Sequence, residues 1–346
     1  MKRVTSIILS AILVVSMAGC SSKPDDSANA SSAPESGSSV DGYVLRLGTD
    51  AVGGTANTAL EAMSSVVNQN TKLKTSTVVT TGAVEIINLI NSGELEGGYA
   101  GTINLVQAIN GEEPFASKVP EEAMLQAFGF VAWMLPIITI EGSGIETYED
   151  LAGKKLMSPQ MGSASAEVLK IVLDAYDLTD KVKLEYYGWS DGWNALKDGR
   201  VDAAMGSWAN GITASGIVEL TTTRNVKLLS LTPEAAAAVS AANDGIASQE
   251  MTSENDASIP EGESVIAPRN SGVVVFGANV DEEAVYQFTK ACIDNVEALG
   301  NISRDLAVLK DYMTSVCVPS VPFHPGAARA LKEAGLWDDT FKVYGE

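Results

Sequence analysis

Val44-Leu45-Arg46-Leu47-Gly48, then Gly53-Gly54-Thr55, then the helix-length stretch from Thr58 to Gln69 decide the fold. An alternating apolar run reads as a strand, paired glycines let the chain turn tightly, and the stretch that follows is helical in spacing. The pattern then recurs. Lys74 to Thr80, rich in Val and Thr, reads as a second strand, Thr81-Gly82 as its turn and Val84 to Asn91 as a helix, and Gly97 to Thr102 reads as a third strand. Strands separated by helix-length segments pair in parallel through right-handed crossovers.

A second series starts after Pro136. Strands are expected at Lys155–Ser158, Val182–Tyr187, Val201–Gly206 and Val226–Leu231, with helices at Ala166–Ala175 and Asp191–Lys197. An apolar strand returns at Val273–Ala278, followed by helices at Glu282–Leu299 and Ser303–Tyr312. The polar segment Ala247–Pro268 reads as an exposed loop. Two α/β series with a returning tail predict two lobes, mixed sheets flanked by helices, and a two-strand hinge made of Phe130–Ile140 and Ile266–Phe276. One large doubly wound domain is the alternative.

At the other end, Lys2 and Arg3 precede the apolar run Val4–Met17, and Met17-Ala18-Gly19 leads to Cys20. A basic start, a short apolar core and small residues before a cut site make a secretory signal. The run is too short to span a bilayer. A Cys at the cut, followed by the Ser-, Ala-, Asp-, Pro- and Gly-rich stretch Ser21–Asp41, resembles a bacterial lipoprotein signal and tether. The expected organisation is a signal over residues 1–19, a tether lipidated at Cys20 over 20–42, a first lobe from 43–135 and 273–346, and a second lobe over 136–272. Everything after Cys20 is expected outside the cytoplasmic membrane, anchored by lipid at the cell surface or in the periplasm.

With 45% hydrophobic and 19% charged residues, the 346-residue chain is globular. Its formal charge of −21 repels polyanions and excludes nucleic acid as a partner. One histidine, His324, is too few for a multi-histidine metal site, so no metal and no cofactor are expected. Cys292 and Cys317 form either one disulfide or two buried thiols.

Three strand-to-helix junctions share one chemistry: Gly53-Gly54-Thr55, Thr80-Thr81-Gly82-Ala83 and Gly162-Ser163-Ala164-Ser165. Glycine lets a ligand approach the backbone, a hydroxyl caps or donates, and first-turn N–H groups attract negative charge. None contains a basic residue, so the expectation is an anion held by peptide dipoles; the alternative is N-capping without a ligand. Trp189 and Trp208 follow predicted strands and are expected to wall the same cleft, whereas Trp193 beside Leu196 is expected in the core. Gly188-Trp189-Ser190-Asp191-Gly192 matches the nucleophile-elbow spacing G-x-S-x-G. A serine hydrolase using Ser190 is therefore an alternative, although the chain is read as a non-enzyme. Arg269 either meets a ligand carboxylate or pairs with a surface acid.

Val321-Pro322-Phe323-His324-Pro325-Gly326-Ala327, running on to Lys332-Glu333-Ala334-Gly335, resembles the Pro-x-His-Pro-Gly-Ala turn and Lys-Glu-Ala-Gly helix end of the TAXI-type solute-binding proteins of TRAP transporters. Asp150-Leu151-Ala152-Gly153-Lys154-Lys155 with Gly162-Ser163, Leu196-Lys197-Asp198-Gly199-Arg200-Val201-Asp202-Ala203, and Gly53-Gly54-Thr55 are similar to further segments of that family, in order, over nearly all of Leu45–Gly335. The resemblance implies a two-lobed type II periplasmic-binding-protein-like fold. It implies capture of a small carboxylate-bearing solute between the lobes, and delivery to TRAP membrane permease subunits; a sensor or ABC system is the alternative recipient. Departures fall at the pocket: Ala56-Asn57 replaces two tyrosines, Ala83 and Ile86 replace a serine and an asparagine, and Gly101-Thr102-Ile103 replaces Gln-Ser-Asp. The expected ligand-binding residues are Gly54, Thr55, Thr80, Thr81, Gly82, Thr102, Ser163 and Ser165. To these the chain adds its own candidates Asn57, Tyr99, Trp189 and Trp208.

Overall fold

β1 (Val44–Thr49) buries Leu45 and Leu47 and runs into α1 (Thr55–Asn70), whose apolar stripe includes Ala59, Leu60, Met63 and Val67. In the computed structural model, which describes residues 40–346, the pattern repeats through β2 (Lys74–Val79), α2 (Ala83–Asn91), β3 (Gly97–Gly101) and α3 (Thr102–Asn110). The signal, Cys20 and most of the expected tether lie outside the described residues.

β4 (Leu125–Met134) is buried throughout, and Leu135-Pro136 turns it into β5 (Ile137–Ile140). The second series follows as β6 (Lys155–Ser158), α4 (Ala164–Ala175), β7 (Lys183–Tyr186), α5 (Trp189–Lys197) and β8 (Ala203–Met205). Next come β9 (Trp208–Ala209), β10 (Ile212–Thr213), α6 (Ser215–Thr221), β11 (Val226–Leu228), α7 (Pro233–Ala242), β12 (Ile246–Thr252) and β13 (Ser264–Phe276). The chain closes with α8 (Glu282–Asp294), α9 (Val296–Ile302), α10 (Leu309–Tyr312) and α11 (Pro325–Glu333).

Two sheets result, both within the compact unit Ser38–Glu346. The eight-stranded sheet runs β10-β9-β4-β13-β3-β1-β2, with β12 beside β13, and the five-stranded sheet runs β11-β5-β8-β6-β7. The expected parallel pairings are present: β1 with β2 and β3, and β6 with β7 and β8. The segments read as crossovers lie side by side, since β13 pairs antiparallel with β4 from Arg269↔Met134 to Phe276↔Leu125. The amides of Leu135 and Leu231 donate to the Pro268 and Ile266 carbonyls, tying the start of the second series to β13.

Three sequence expectations need correction. Ala247–Pro268 is not an exposed loop: Ile246–Thr252 and Ser264 onward form an antiparallel pair. Residues 136–272 do not all belong with the second sheet, because β9, β10, β12 and β13 extend the first. The third strand does not run on to Thr102, which instead opens α3. The thiols of Cys292 and Cys317 are free, and burial pushes both above the usual thiol range. Gly326 has a packing reason, since a Cβ there would strike the Glu282 carbonyl of α8. Among the described residues, no helix is long and apolar enough to cross a membrane.

Candidate functional site

Because β2, β1 and β3 are consecutive in the first sheet, their carboxyl ends place the starts of α2, α1 and α3 side by side. Gly54, Thr55, Thr80, Thr81, Gly82 and Thr102 therefore share one sheet edge. β6 and β7 do the same for α4 and α5 in the second sheet, which sets Ser163 and Ser165 near Trp189. The two edges meet where β3 ends: a Cβ built on Gly101 would lie 2.9 Å from the Ala164 Cβ at the start of α4. This is the place where α/β sheets present ligands.

The local chemistry at two of the three junctions differs from the expectation of open anion cradles. At α1, Asp50 Oδ1 accepts from the Asn57 amide at 2.9 Å. Gly54 makes room for this carboxylate, since a Cβ there would meet Asp50 Oδ2 at 2.9 Å. Asn57 is spent internally: its Oδ1 accepts from the Gly53 amide at 3.1 Å and its Nδ2 donates to Glu61 at 3.2 Å. At α2, the Thr81 amide and hydroxyl both donate to Glu85 Oε2 at 2.7 Å. Thr80 donates to the Thr49 carbonyl at 2.9 Å and accepts from Gly82 at 3.1 Å. Each of these helix starts thus already faces a carboxylate of the chain itself. At α4 the cap is a hydroxyl, Ser163 Oγ accepting from Ala166 at 3.3 Å.

The two carboxylates are held differently. Bonds from Thr81 keep Glu85 below the usual carboxylate range. Burial dominates at Asp50 and raises it, and no basic side chain among the described residues offsets that. Tyr99 is pushed up by burial and then by the charge of Asp50. The sequence did carry a signal for both acids, since each lies within four residues of its junction glycine or threonine.

Tyr99 is buried between Phe130 and Trp133, with ring centroids 6.2 and 6.0 Å away, and those two rings are 6.4 Å apart. The interplanar angles of 77°, 81° and 83° make the three rings mutually near-perpendicular. Thr102 is buried and engaged: its hydroxyl lies 2.6 Å from the Gly245 carbonyl and 3.1 Å from Asn270 Oδ1, and it accepts from the Ser271 amide. Asn270 Nδ2 and Asn104 Oδ1, on side chains 1% and 0% exposed, have no partner among the described residues. Both lie beside Gly101, 3.5 and 2.9 Å from its built Cβ. Sequence reasoning missed Phe130, Trp133, Asn104 and Asn270 as site residues, because only the pairing of β13 with β3 and β4 gathers them.

The tryptophans separate. Trp189 is half-buried and packs on Trp193 at 5.4 Å, while Trp193 donates to the Met205 carbonyl in the core. Trp208 is fully buried, with Nε1 donating to Asp256 at 3.0 Å, so its polar end is already engaged. The Nε of Arg269 has no hydrogen-bond partner among the described residues, and burial lowers its guanidinium. Ser190 is exposed on the first turn of α5, and both His324 ring nitrogens are engaged, one accepting from Gly326 and one facing the Val280 carbonyl at 3.2 Å. Burial pushes His324 down to about 4, and it caps α11. The single histidine is therefore engaged away from Ser190, which sits on the first turn of α5. A cavity of about 700 Å³ lies between Arg224–Leu228 and Asp256–Val265, and none of the expected site residues lines it. Among the described residues, no group of three or more His, Cys, Asp or Glu is placed to hold a metal.

Residues 47–335 match the NMT1-like family. Among solved structures, MatC from Rhodopseudomonas palustris with bound malate is similar at a TM-score of 0.52 and 11% identity, over 86% of this chain and 98% of that one. The periplasmic aliphatic sulphonate binding protein SsuA from Escherichia coli gives a TM-score of 0.43 at 16% identity, over 78% and 79%. The architecture is that of type II periplasmic binding proteins, two α/β sheets flanked by helices.

Proposed function

The chain belongs to the NMT1-like family, and from that premise we propose that it is an extracytoplasmic solute-binding receptor, capturing a small organic solute between two lobes. The observation that carries this is the meeting of the two sheet edges at Gly101 and Ala164, which brings helix starts from both sheets to one place. In this reading the first lobe is built on the eight-stranded sheet and the second on the five-stranded sheet. Leu135-Pro136 and the first half of β13 form the hinge. Binding shifts a population from open to closed, by no more than the solute's preference for the closed state.

Ser163 and Ser165 at the α4 start supply the anionic subsite, since this junction is capped by a hydroxyl and not by a carboxylate. The solute accordingly bears a carboxylate or a similar anionic end. Delivery is to a TRAP-type permease, a reading supported by the resemblance of Val321–Ala327 and Lys332–Gly335 to TAXI proteins. Cys20 carries the lipid that holds the receptor at the membrane.

Small-angle scattering during a thermal-shift screen of organic acids, amino acids and aromatic acids tests the receptor reading. A ligand that raises the melting temperature and reduces the radius of gyration is expected; saturation without compaction overturns closure. A permease gene of TRAP type beside this one supports the delivery step, and a transport-ATPase gene there removes it. Labelling with palmitate, lost in Cys20→Ala, tests the anchor.

A further inference from the structure

We propose that the cavity between β11 and the 256–265 segment is a strand-insertion site, which takes an extended, uncharged internal segment of a partner polypeptide. The proposal goes beyond the receptor reading and does not depend on it, since none of the expected solute-binding residues lines this cavity. β11 is an outer strand of the five-stranded sheet, and among the described residues β5 is its only strand neighbour. The Leu229 amide donates to the Ile137 carbonyl and the Asn225 carbonyl accepts from Glu141, so the odd-numbered residues turn their backbone toward β5. In an antiparallel ladder the residues between them turn theirs the other way. The amides and carbonyls of Val226 and Leu228 therefore face the cavity, and none has a hydrogen-bond partner among the described residues. Both residues are only 7% exposed, and unpaired backbone groups at buried positions are uncommon and costly.

The facing wall has the same character. The Ile266 amide donates to Ser230 Oγ at 3.0 Å and its carbonyl accepts from Leu231 at 2.8 Å, so the even-numbered residues at the start of β13 turn their backbone away from β12. Ser264, two residues earlier, turns its amide and carbonyl the same way, and neither is paired among the described residues. The bonds of Ser230 and Leu231 to Ile266 clasp the two edges, and beyond the clasp the edges part around a cavity of about 700 Å³. Asp256 fixes the far wall by accepting from Trp208 and Thr213 at 3.0 and 3.3 Å. An open strand edge is a template for another chain, whose backbone supplies affinity and whose alternate side chains enter pockets. Val218, Ile259 and Val265 supply the apolar lining for those side chains. The charges say which part of a chain fits. Arg224 and Lys227 stand against Glu141, Asp256 and Glu263. Lys227 is paired with Glu146, Glu141 accepts from Asn225 at 2.8 Å, and Asp256 is engaged as above. That leaves Arg224 and Glu263, of opposite sign, each preceding its strand on the side remote from the clasp. No charge at the clasp receives a peptide terminus, so the occupant is an internal stretch without net charge. β11 offers three residues of edge, roughly 10 Å of strand.

The test is fluorescence anisotropy of a side-chain-labelled peptide, acetyl-Ser-Val-Thr-Val-Ser-amide, titrated with the purified protein. Wild type is expected to bind it. The same peptide N-methylated at its central threonine loses a backbone donor and is expected to bind about tenfold more weakly or worse. Val226→Pro removes an N–H that faces the cavity, at a position where an outer strand tolerates proline, and weakens binding to a similar degree. Circular dichroism and thermal melting establish that the variant folds, and the methylated peptide makes the same test without altering the protein. No binding up to about 1 mM peptide overturns the site. Equal affinity for the methylated peptide, or in folded Val226→Pro, overturns strand pairing. Tighter binding of the same sequence with free termini overturns the internal-segment occupant in favour of a free short peptide. Each of these outcomes leaves the receptor reading as it stands.

Discussion

Gly101 ends β3 in the first sheet, Ala164 begins α4 beyond the second, and the two touch: a Cβ on Gly101 would come within 2.9 Å of the Ala164 Cβ and of Asn104 Oδ1. Gly101 has φ −74° and ψ 139°, which any residue adopts, so the glycine answers a packing need and not a backbone one. Gly101→Ala is expected to push the α4 start away, cost about 1–3 kcal/mol as overpacking, and lower solute affinity by favouring an open arrangement. Ala164→Gly added to it removes one of the two clashes and restores much of the affinity. Scattering and calorimetry on the single and double variants measure both effects. Wild-type affinity in Gly101→Ala would remove this contact from the closing motion.

Asp50 gives a pH dependence of definite sign. Burial raises its folded pKa above the unfolded value, so the folded state binds more protons in that window. Its contribution to stability is fully present below the unfolded pKa and is lost as pH rises through the folded one. Asp50→Asn is therefore expected to melt higher than wild type at pH 7 without solute, and the gain disappears in acid. Differential scanning calorimetry from pH 3 to pH 7 measures it; a lower melting temperature for the variant at neutral pH contradicts the assignment.

His324 has the opposite sign. Burial lowers it from 6.5 to about 4, while Gly326 and Val280 hold the neutral ring. The unfolded chain binds the extra proton, so the contribution is complete above about pH 6.5 and is lost as pH falls through about 4. The full loss is on the order of 3 kcal/mol. Urea unfolding at pH 7 and pH 4 should show that loss in wild type and less of it in His324→Asn, whose side chain still accepts from Gly326. An equal acid loss in both proteins would falsify the assignment.

The alternation of strand and helix was legible wherever local periodicity sufficed. β1, β2, β6 and α4 lie close to where their patterns put them, because each buries one stripe against its own neighbour in sequence. β12 and the start of β13 were missed because Gln249, Glu250 and Ser264 sit on a border pair, where half-buried and exposed side chains are tolerated. Pro268 also reads as a breaker, yet its carbonyl receives the Leu135 amide. α7 carried a readable start, Thr232 accepting from Ala235 with Pro233 following, although its Ala-rich body has almost no amphipathic stripe. At the site, the helix junctions could be read from glycine and hydroxyl positions. That Asp50 and Glu85 fold back over two of them depends on loop geometry, and that Trp133 meets Tyr99 depends on pairing across β13.

Trp208 shows how a tryptophan placed at a strand end can still be scaffold. Its ring covers Gly206, where any side chain would collide with it, and its Nε1 reaches Asp256, 48 residues onward. Asp256 also accepts from Thr213 and Ser258, so one carboxylate fastens β10 and the turn at 256–258 to the β9 strand. Trp208→Phe keeps most of the apolar area and removes one donor to a charged acceptor, an expected loss of about 2 kcal/mol. Because the ring is spent on packing and its Nε1 on Asp256, solute affinity is expected to stay within about twofold of wild type, well inside the tenfold that marks 1.4 kcal/mol. Urea denaturation with parallel titration separates the two roles. Wild-type stability with lost binding would return Trp208 to the cleft wall.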